Sequence, residues 1–215
     1  TSSYVFNDSE HAANLFSLKE LGFIYTRLNN PTNQILQDRL AAIEGGIGAV
    51  VFASGTAAIS TGLLTLLKAG DHIVASSSLY GGTYNLLSVT LPRFGITTTF
   101  VDASDPNNFA AAVKENTRAF FVESLGNPKL DVLDLEAISE QSKEAGVPFI
   151  VDNTVATPVL LNPIKHGADI VIHSLTKYIG GQGTSLGGAI VDAGTFNWAN
   201  GKFPEFTEPS AGYHG

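Results

Sequence analysis

Ile170-Val-Ile-His-Ser-Leu-Thr-Lys-Tyr-Ile-Gly-Gly181 begins as a β-strand and ends in reactive groups. Ile170, Val171 and Ile172 put apolar side chains on both faces, as expected of a strand covered by helices on each side. Two hydroxyls, Ser174 and Thr176, follow at alternate positions, then a lone lysine, Lys177, ahead of a glycine-rich stretch. Hydroxyls and glycines suit an anion such as a phosphate. An amine there can condense with an aldehyde to form a Schiff base once it is neutral, which a partly desolvated site with other cations nearby favours. Such a surrounding is therefore expected for Lys177.

Working outward, six further short β-branched runs alternate with helical stretches. Strands are expected at about Ala49–Ala53, His72–Ser76, Thr97–Asp102, Ala119–Glu123, Phe149–Val151 and Gly188–Val191, besides Ile170–His173. Leu36, Leu40, Ile43 and Ile47 recur with helical period, and the helix they mark should stop near Gly45-Gly46. Thr56–Lys68, Tyr84–Phe94, Asn107–Glu115 and Leu135–Ala145 read as further helices, with Gly70 and Gly146 as stops. The pattern predicts an α/β fold: a mostly parallel seven-stranded sheet with right-handed crossovers and helices on both faces. In such sheets ligands lie beyond the carboxyl ends of the strands. The polar residues fall there: Ser54-Gly55-Thr56 after the first strand, Tyr80 after the second, Asn127 after the fourth, Asp152 after the fifth, and Ser174, Thr176 and Lys177 after the sixth.

Composition narrows the function classes. A net charge of −8, with basic residues scattered, disfavours nucleic acid and anionic membranes as partners. No apolar run approaches the ~20 residues of a membrane span, and no charged-then-apolar leader opens the chain, so a soluble cytoplasmic protein is expected. Cysteine is absent, which removes thiolate chemistry and thiolate zinc sites, and the histidines show no i, i+4 pairing, so no metal is expected. Methionine is also absent, position 1 included, which predicts that the sequence is part of a longer translation product.

Each strand-end group has a chemical use. Ser54-Gly55-Thr56 joins a strand to a helix without a long loop, so the free amides of the helix start can hold a phosphate; a serine N-cap explains the same residues. Asp152 is a carboxylate closing a buried strand and needs a cationic partner. A protonated pyridine nitrogen would serve, which makes pyridoxal 5'-phosphate the aldehyde that unites Asp152 with Lys177. Tyr80, among small residues, can stack on a flat ring and do acid-base work. Asn127 can donate to a phenolic oxygen or simply form an Asn-Pro turn. Tyr25 and Arg27 lie two residues apart and would face the same way on an extended segment, where a phenol and a guanidinium suit a phosphate.

Tyr25-Thr-Arg-x-x-Asn-Pro-Thr32, Ser54-Gly-x-Ala-Ala58, Tyr80-Gly-Gly-Thr-Tyr84, Gly126-Asn-Pro128, Val151-Asp-Asn-Thr154 and His173-Ser-x-Thr-Lys-Tyr-Ile-Gly-Gly181 together resemble the Cys/Met-metabolism PLP-dependent enzymes over essentially the whole chain. His11-Ala-Ala-Asn-Leu-Phe16, Gly180–Gly188 and Phe203–Gly215 are most similar to the O-acetylhomoserine sulfhydrylase branch. The resemblance implies a large domain of the aspartate aminotransferase type with the smaller carboxy-terminal domain missing. It divides the chain into an arm (1–32) reaching a neighbouring subunit's site, a cofactor-binding domain (33–195) and the start of a connection (196–215). It implies that Lys177 holds pyridoxal 5'-phosphate and moves substrate protons, that Asp152 pairs with the pyridine nitrogen and that Tyr80 stacks on the ring, these three being catalytic. Ser54, Gly55, Thr56, Ser174 and Thr176 would hold the phosphate, Asn127 the phenolic oxygen, and Tyr25 and Arg27 the phosphate of a second copy in a dimer or tetramer.

The implied reaction is a γ-replacement in methionine biosynthesis: O-acetyl-L-homoserine and sulfide give L-homocysteine and acetate. Cystathionine γ-synthase, cystathionine or methionine γ-lyase, and a catalytically incomplete cofactor-binding fragment are the alternatives. Thr56 stands where the family often has Met, Gln182 where the branch commonly has His, and nothing after Gly215 supplies the arginine expected to grip the substrate carboxylate. Gly183-Thr-Ser185-Leu-Gly187 matches a hydrolase nucleophile elbow in letters, but that elbow needs a helix after the serine and here a strand is expected.

Overall fold

Seven strands form one sheet in the computed structural model, which describes residues 1–210. They are β1 (Gly48–Phe52), β2 (His72–Ser76), β3 (Thr97–Val101), β4 (Thr117–Glu123), β5 (Phe149–Asp152), β6 (Ile170–Ser174) and β7 (Gly188–Asp192), in the spatial order β1-β7-β6-β5-β4-β2-β3. β7 alone runs against its neighbours β1 and β6; every other pairing is parallel. The expected mostly parallel, seven-stranded α/β sheet is therefore present, each strand within two residues of its predicted bounds.

Alternation along the strands builds a core on each face. Phe149, Val151, Phe120, Val122 and Val171 enter one cluster, where α5 (Asn107–Ala111) and α6 (Leu135–Ala145) supply Phe109, Leu135 and Ile138. Ile150, Phe121, Ala75, Ile170 and Ile172 enter the other, under Ile59, Leu63 and Leu66 of α3 (Gly55–Leu66). Burying an aliphatic or aromatic side chain is worth about 1.5–3 kcal/mol, and these two clusters hold the strands whose carboxyl ends carry the site.

The helices depart from expectation in instructive ways. The helix expected over Tyr84–Phe94 is three pieces: α4 (Gly81–Asn85), a π-turn over Leu86–Thr90 and a 3₁₀ turn over Leu91–Phe94. Pro92 lacks the amide that a regular α-helix would use. α5 stops at Ala111, short of the expected Glu115, and α3 stops at Leu66, so Gly70 (φ +98°) shapes the turn before β2 and does not close a helix. Gly146 does close α6, at φ +62°. α2 (Pro31–Glu44) ends at a left-handed Gly45, but its expected apolar stripe is not buried. Leu40 is 4 % exposed, whereas Leu36, Ile43 and Ile47 are 40, 57 and 77 % exposed. Leu40, Ala41 and Glu44 are its buried residues, and Ile47 lies beyond the helix. Two α-helices have no counterpart among the expected elements, α1 (Ser9–Phe16), capped by Asp8, and α7 (Thr157–Leu160).

The first thirty residues fold largely on themselves: Tyr25 bridges to Ser3, and Asn30 Nδ2 donates to the Tyr4 hydroxyl at 2.9 Å. After β7 the chain returns over α3 and α6, where Phe196, Trp198, Phe203 and Phe206 form an aromatic cluster, Lys202 Nζ donates to the Ala145 carbonyl and Lys68 pairs with Glu205 at 2.7 Å. The last part of the Phe203–Gly215 motif, residues 211–215, lies outside the described residues. No helix among the described residues is long and apolar enough to cross a membrane.

Candidate active site

One cavity of about 410 Å³ opens at the carboxyl ends of the strands, within the size range of small-molecule sites. It is lined by Ser54, Gly55 and Thr56 after β1, Tyr80 after β2, Asn127 after β4, Asp152 at the end of β5, and Ser174, Thr176 and Lys177 at the end of β6. All nine large-domain residues singled out from the sequence thus meet in one place. Tyr25 and Arg27 do not line it.

The anion end is built by α3. Ser54 is its N-cap, and Ser54 Oγ accepts the Ala57 amide at 3.0 Å, so this side chain serves the helix. The amides of Gly55 and Thr56 donate to no acceptor among the described residues and remain for a ligand. A helix amino end is worth roughly 0.3–2 kcal/mol to an anion. Gly55 packs against Ser174: a Cβ at position 55 would stand 2.6 Å from Ser174 Cβ and 2.9 Å from Ser174 Cα. Backbone cannot yield to such a contact as a flexible side chain would. Gly55→Ala is therefore expected to lower stability by about 1–3 kcal/mol and to move the two amides away from Ser174, read as a lower urea midpoint together with weaker binding of inorganic phosphate. Thr176 is committed to the loop, since its hydroxyl donates to the Gly187 carbonyl at 3.3 Å and accepts the Gly187 amide at 3.1 Å. That contact ties the Lys177 loop to the start of β7. The strand following Ser185 also excludes a nucleophile elbow there.

The acidic end lies deeper. Asp152 is buried, and burial pushes its carboxyl above the usual range against the opposing pull of its Thr154 hydrogen bonds and of His173. Its Oδ1 takes the Thr154 amide at 3.0 Å and the Thr154 hydroxyl, and Oδ2 takes no protein hydrogen bond among the described residues. Thr154 Oγ1 also accepts the Ser174 amide at 2.8 Å, so one side chain ties the carboxylate to the end of β6. Glu123, absent from the residues expected at the site, stands beside Asp152 in register on β4 and lines the same cavity. Burial, assisted by Asp152 and Asp131 and opposed by a hydrogen bond from the Tyr80 amide, pushes its carboxyl up to about 8. The sequence signal for Glu123 is the same as that for Asp152, a carboxylate closing an apolar strand.

Two expectations need correction. Lys177 is exposed, and among the described residues of this chain the other ionisable groups lining its cavity are acids and tyrosines, so this chain alone does not supply the expected desolvated surrounding with nearby cations. Tyr25 and Arg27 do lie together, but not along an extended segment: residues 26–28 form a turn, with the Leu28 amide donating to the Tyr25 carbonyl at 2.8 Å, and the guanidinium sits 5.3 Å from the Tyr25 ring centre. Asn30 and Pro31 of the same motif start α2, where the Asn30 side chain accepts the amides of Thr32 and Asn33. Among the described residues no group of three or more His, Cys, Asp or Glu could hold a metal ion. The cavity instead offers an amine, a buried acid and an anion-binding helix end to one organic ligand.

Comparison with known proteins gives the same picture. The family described as "Cys/Met metabolism PLP-dependent enzyme" matches residues 1–211. O-acetyl-L-homoserine sulfhydrylase of Leptospira meyeri is 60 % identical over 215 residues, covering all of this chain and 49 % of the relative. Homocysteine synthase of Schizosaccharomyces pombe is 56 % identical over 218 residues, covering all of this chain and 51 % of the relative. The chain spans about half the length of these curated relatives. Among solved structures, the O-acetylhomoserine (thiol)-lyase of Campylobacter jejuni, which contains N'-pyridoxyl-lysine-5'-monophosphate, superposes with a TM-score of 0.96 at 43 % identity, over all of this chain and 54 % of that one.

Proposed function

From a chain that belongs to the Cys/Met-metabolism PLP-dependent enzymes, we propose the γ-replacement in which O-acetyl-L-homoserine and sulfide become L-homocysteine and acetate, with pyridoxal 5'-phosphate held in the strand-end cavity. The observation that carries this reading is the meeting of Lys177, Asp152 and the free amides of Gly55 and Thr56 in one cavity. Those three features answer the three handles of the cofactor: an aldehyde, a basic ring nitrogen and a phosphate. The sulfhydrylase and homocysteine synthase relatives support the choice of reaction.

When bound, the cofactor supplies an aldehyde for the substrate amine and an electron-withdrawing ring for the charge left on carbon. Lys177 Nζ would be the amine that holds the cofactor aldehyde, and it stands where it could serve as base and acid at the substrate Cα and Cβ. Asp152 Oδ2 keeps the ring nitrogen protonated, and Thr154 orients the carboxylate by engaging Oδ1. Gly55, Thr56 and Ser174 orient the phosphate, while Thr176 fixes the loop that carries Lys177. Tyr80, 52 % exposed, would stack its ring on the flat cofactor, and Asn127 would donate to the phenolic oxygen.

Tyr25 and Arg27 complete the phosphate site of a second copy, which is why they stand apart from their own cavity. The exposed Ile35, Leu36 and Ile43 of α2 give such a homo-oligomer an apolar surface to bury. In this reading 1–32 is the reaching arm, 33–195 the cofactor domain and 196–215 the start of a connection.

The test supplies the full-length protein with cofactor and O-acetyl-L-homoserine, with and without sulfide. Homocysteine that appears only with sulfide is the expected result. Rapid α-keto acid release without sulfide would replace it with a lyase, and a protein that stays colourless with cofactor supplied would remove the cofactor reading altogether.

A further inference from the structure

Glu123 is a buried acid in the cavity that none of these steps uses. Its Oε1 accepts the backbone amide of Tyr80 at 2.7 Å. This bond crosses from the end of β4 to the loop after β2, beside a second one in which Ser78 Oγ donates to Asp131 Oδ1 at 2.9 Å, and it is the one made by the Tyr80 backbone itself. Tyr80 makes no side-chain cap to α4, and its ring rests against Gly82, where a Cβ would stand 2.5 Å from Tyr80 Cε1. The Tyr80 carbonyl accepts the Tyr84 amide at 2.9 Å, so the backbone that carries the ring is tied to α4 on one side and to Glu123 on the other.

We propose that Glu123 is a positioning residue whose carboxyl oxygen, acting as a neutral hydrogen-bond acceptor, sets the height of the Tyr80 ring above the cavity. The inference rests on the cofactor reading given above. The charges around Glu123 explain the neutral form. Asp152 faces it from β5 and Asp131 from the loop after β4, Tyr80 donates from the loop after β2, and Lys177 lines the cavity from the end of β6. Among the described residues neither Glu123 nor Asp152 has a salt-bridge partner. Two adjacent buried acids cannot both ionise cheaply. A cationic ring nitrogen draws the one available negative charge to Asp152, leaving the proton with Glu123. The oxygen facing the Tyr80 amide is then what the position requires, and a primary amide offers the same oxygen without the charge.

The experiment compares Glu123→Gln, Glu123→Asp and Glu123→Leu in the full-length protein, stripped of cofactor and titrated with pyridoxal 5'-phosphate, with visible circular dichroism of the bound cofactor and thermal unfolding followed alongside. Glu123→Gln should bind within about threefold of wild type with an unchanged dichroic band. Glu123→Asp, which keeps the acid but shortens its reach, and Glu123→Leu should both bind at least tenfold more weakly with a diminished band. Rescue by Asp but not Gln would overturn the proposal in favour of a charge role. Equal binding by all three would overturn it outright, and so would losses that track the unfolding temperature with the band intact. A wild type that binds no cofactor would instead sink the functional reading on which the proposal rests, a result distinct from any of these.

Discussion

Lys177→Ala is expected to bleach the full-length protein and to cost it turnover while leaving the fold untouched. The side chain is exposed and takes part in no hydrogen bond or ion pair among the described residues, so its removal should change stability by no more than about 0.5 kcal/mol. In the proposed function the amine would carry two roles, attachment of the cofactor and proton transfer at two substrate carbons. Loss of a positioned general base alone is worth roughly 10²–10⁴-fold in rate, and loss of attachment adds to it. The visible band near about 420 nm, expected of a protonated imine of this cofactor, should disappear even though cofactor still binds through Asp152 and the start of α3. Absorbance, cofactor content after gel filtration and homocysteine formation together check the prediction. A variant that keeps the band would place the attachment elsewhere and undo the assignment of Lys177.

The sheet is legible in the sequence because its signal is redundant. Ile150 and Val151 enter opposite cores, as do Ile172 and Val171, and a run apolar on both faces has few other uses. Helix detail is less legible because it depends on what each face meets. Leu36 and Ile43 follow the helical period as faithfully as Leu40 does, yet only Leu40 of the three is buried. Period reports that a face is apolar; it does not report whether this chain or another covers it. The π-turn at Leu86–Thr90 has no such signature ahead of Pro92.

The site divides in the same way. Asp152, Lys177, Tyr80 and the Ser54 segment are found by position, since strand ends in a parallel sheet converge on one cavity. Glu123 satisfies the same criterion but lies inside a predicted strand, as its last residue. Thr154 enters the sequence reading only as the end of the Val151–Thr154 motif, without a role, because its importance lies in two simultaneous contacts, to Asp152 and to the Ser174 amide, that no spacing encodes. The Arg27 geometry is hidden because the segment turns back on Ser2 and Ser3 before α2 begins.

Asp152→Asn should move stability and activity in opposite directions. In the cofactor-free protein Asp152 is a buried carboxyl whose affinity for a proton is raised, first by burial. Below the usual carboxylate range both folded and unfolded chains hold the proton and pH has no leverage. As pH rises from that range toward the raised folded value, the unfolded chain sheds the proton while the folded chain retains it, so stability falls with increasing pH. Asparagine has no proton to lose. The variant should therefore show a shallower fall in unfolding temperature above about pH 4 and be the more stable protein near neutrality. The residual slope belongs to Glu123, reduced because its acidic neighbour is gone, and to Asp169, whose carboxyl burial also raises. With cofactor the sign reverses. The substituted amide would leave the ring nitrogen without an ionic partner in a buried place, and breaking such a pair costs about 3–5 kcal/mol, or on the order of 10²–10⁴-fold in cofactor affinity or turnover. A cofactor-free variant that is more stable at neutral pH, paired with a holoprotein that is less active, is what a carboxylate kept for function predicts. A variant less stable at every pH would mean that Asp152 serves the fold through Thr154, and the cationic partner assigned to it would have to be withdrawn.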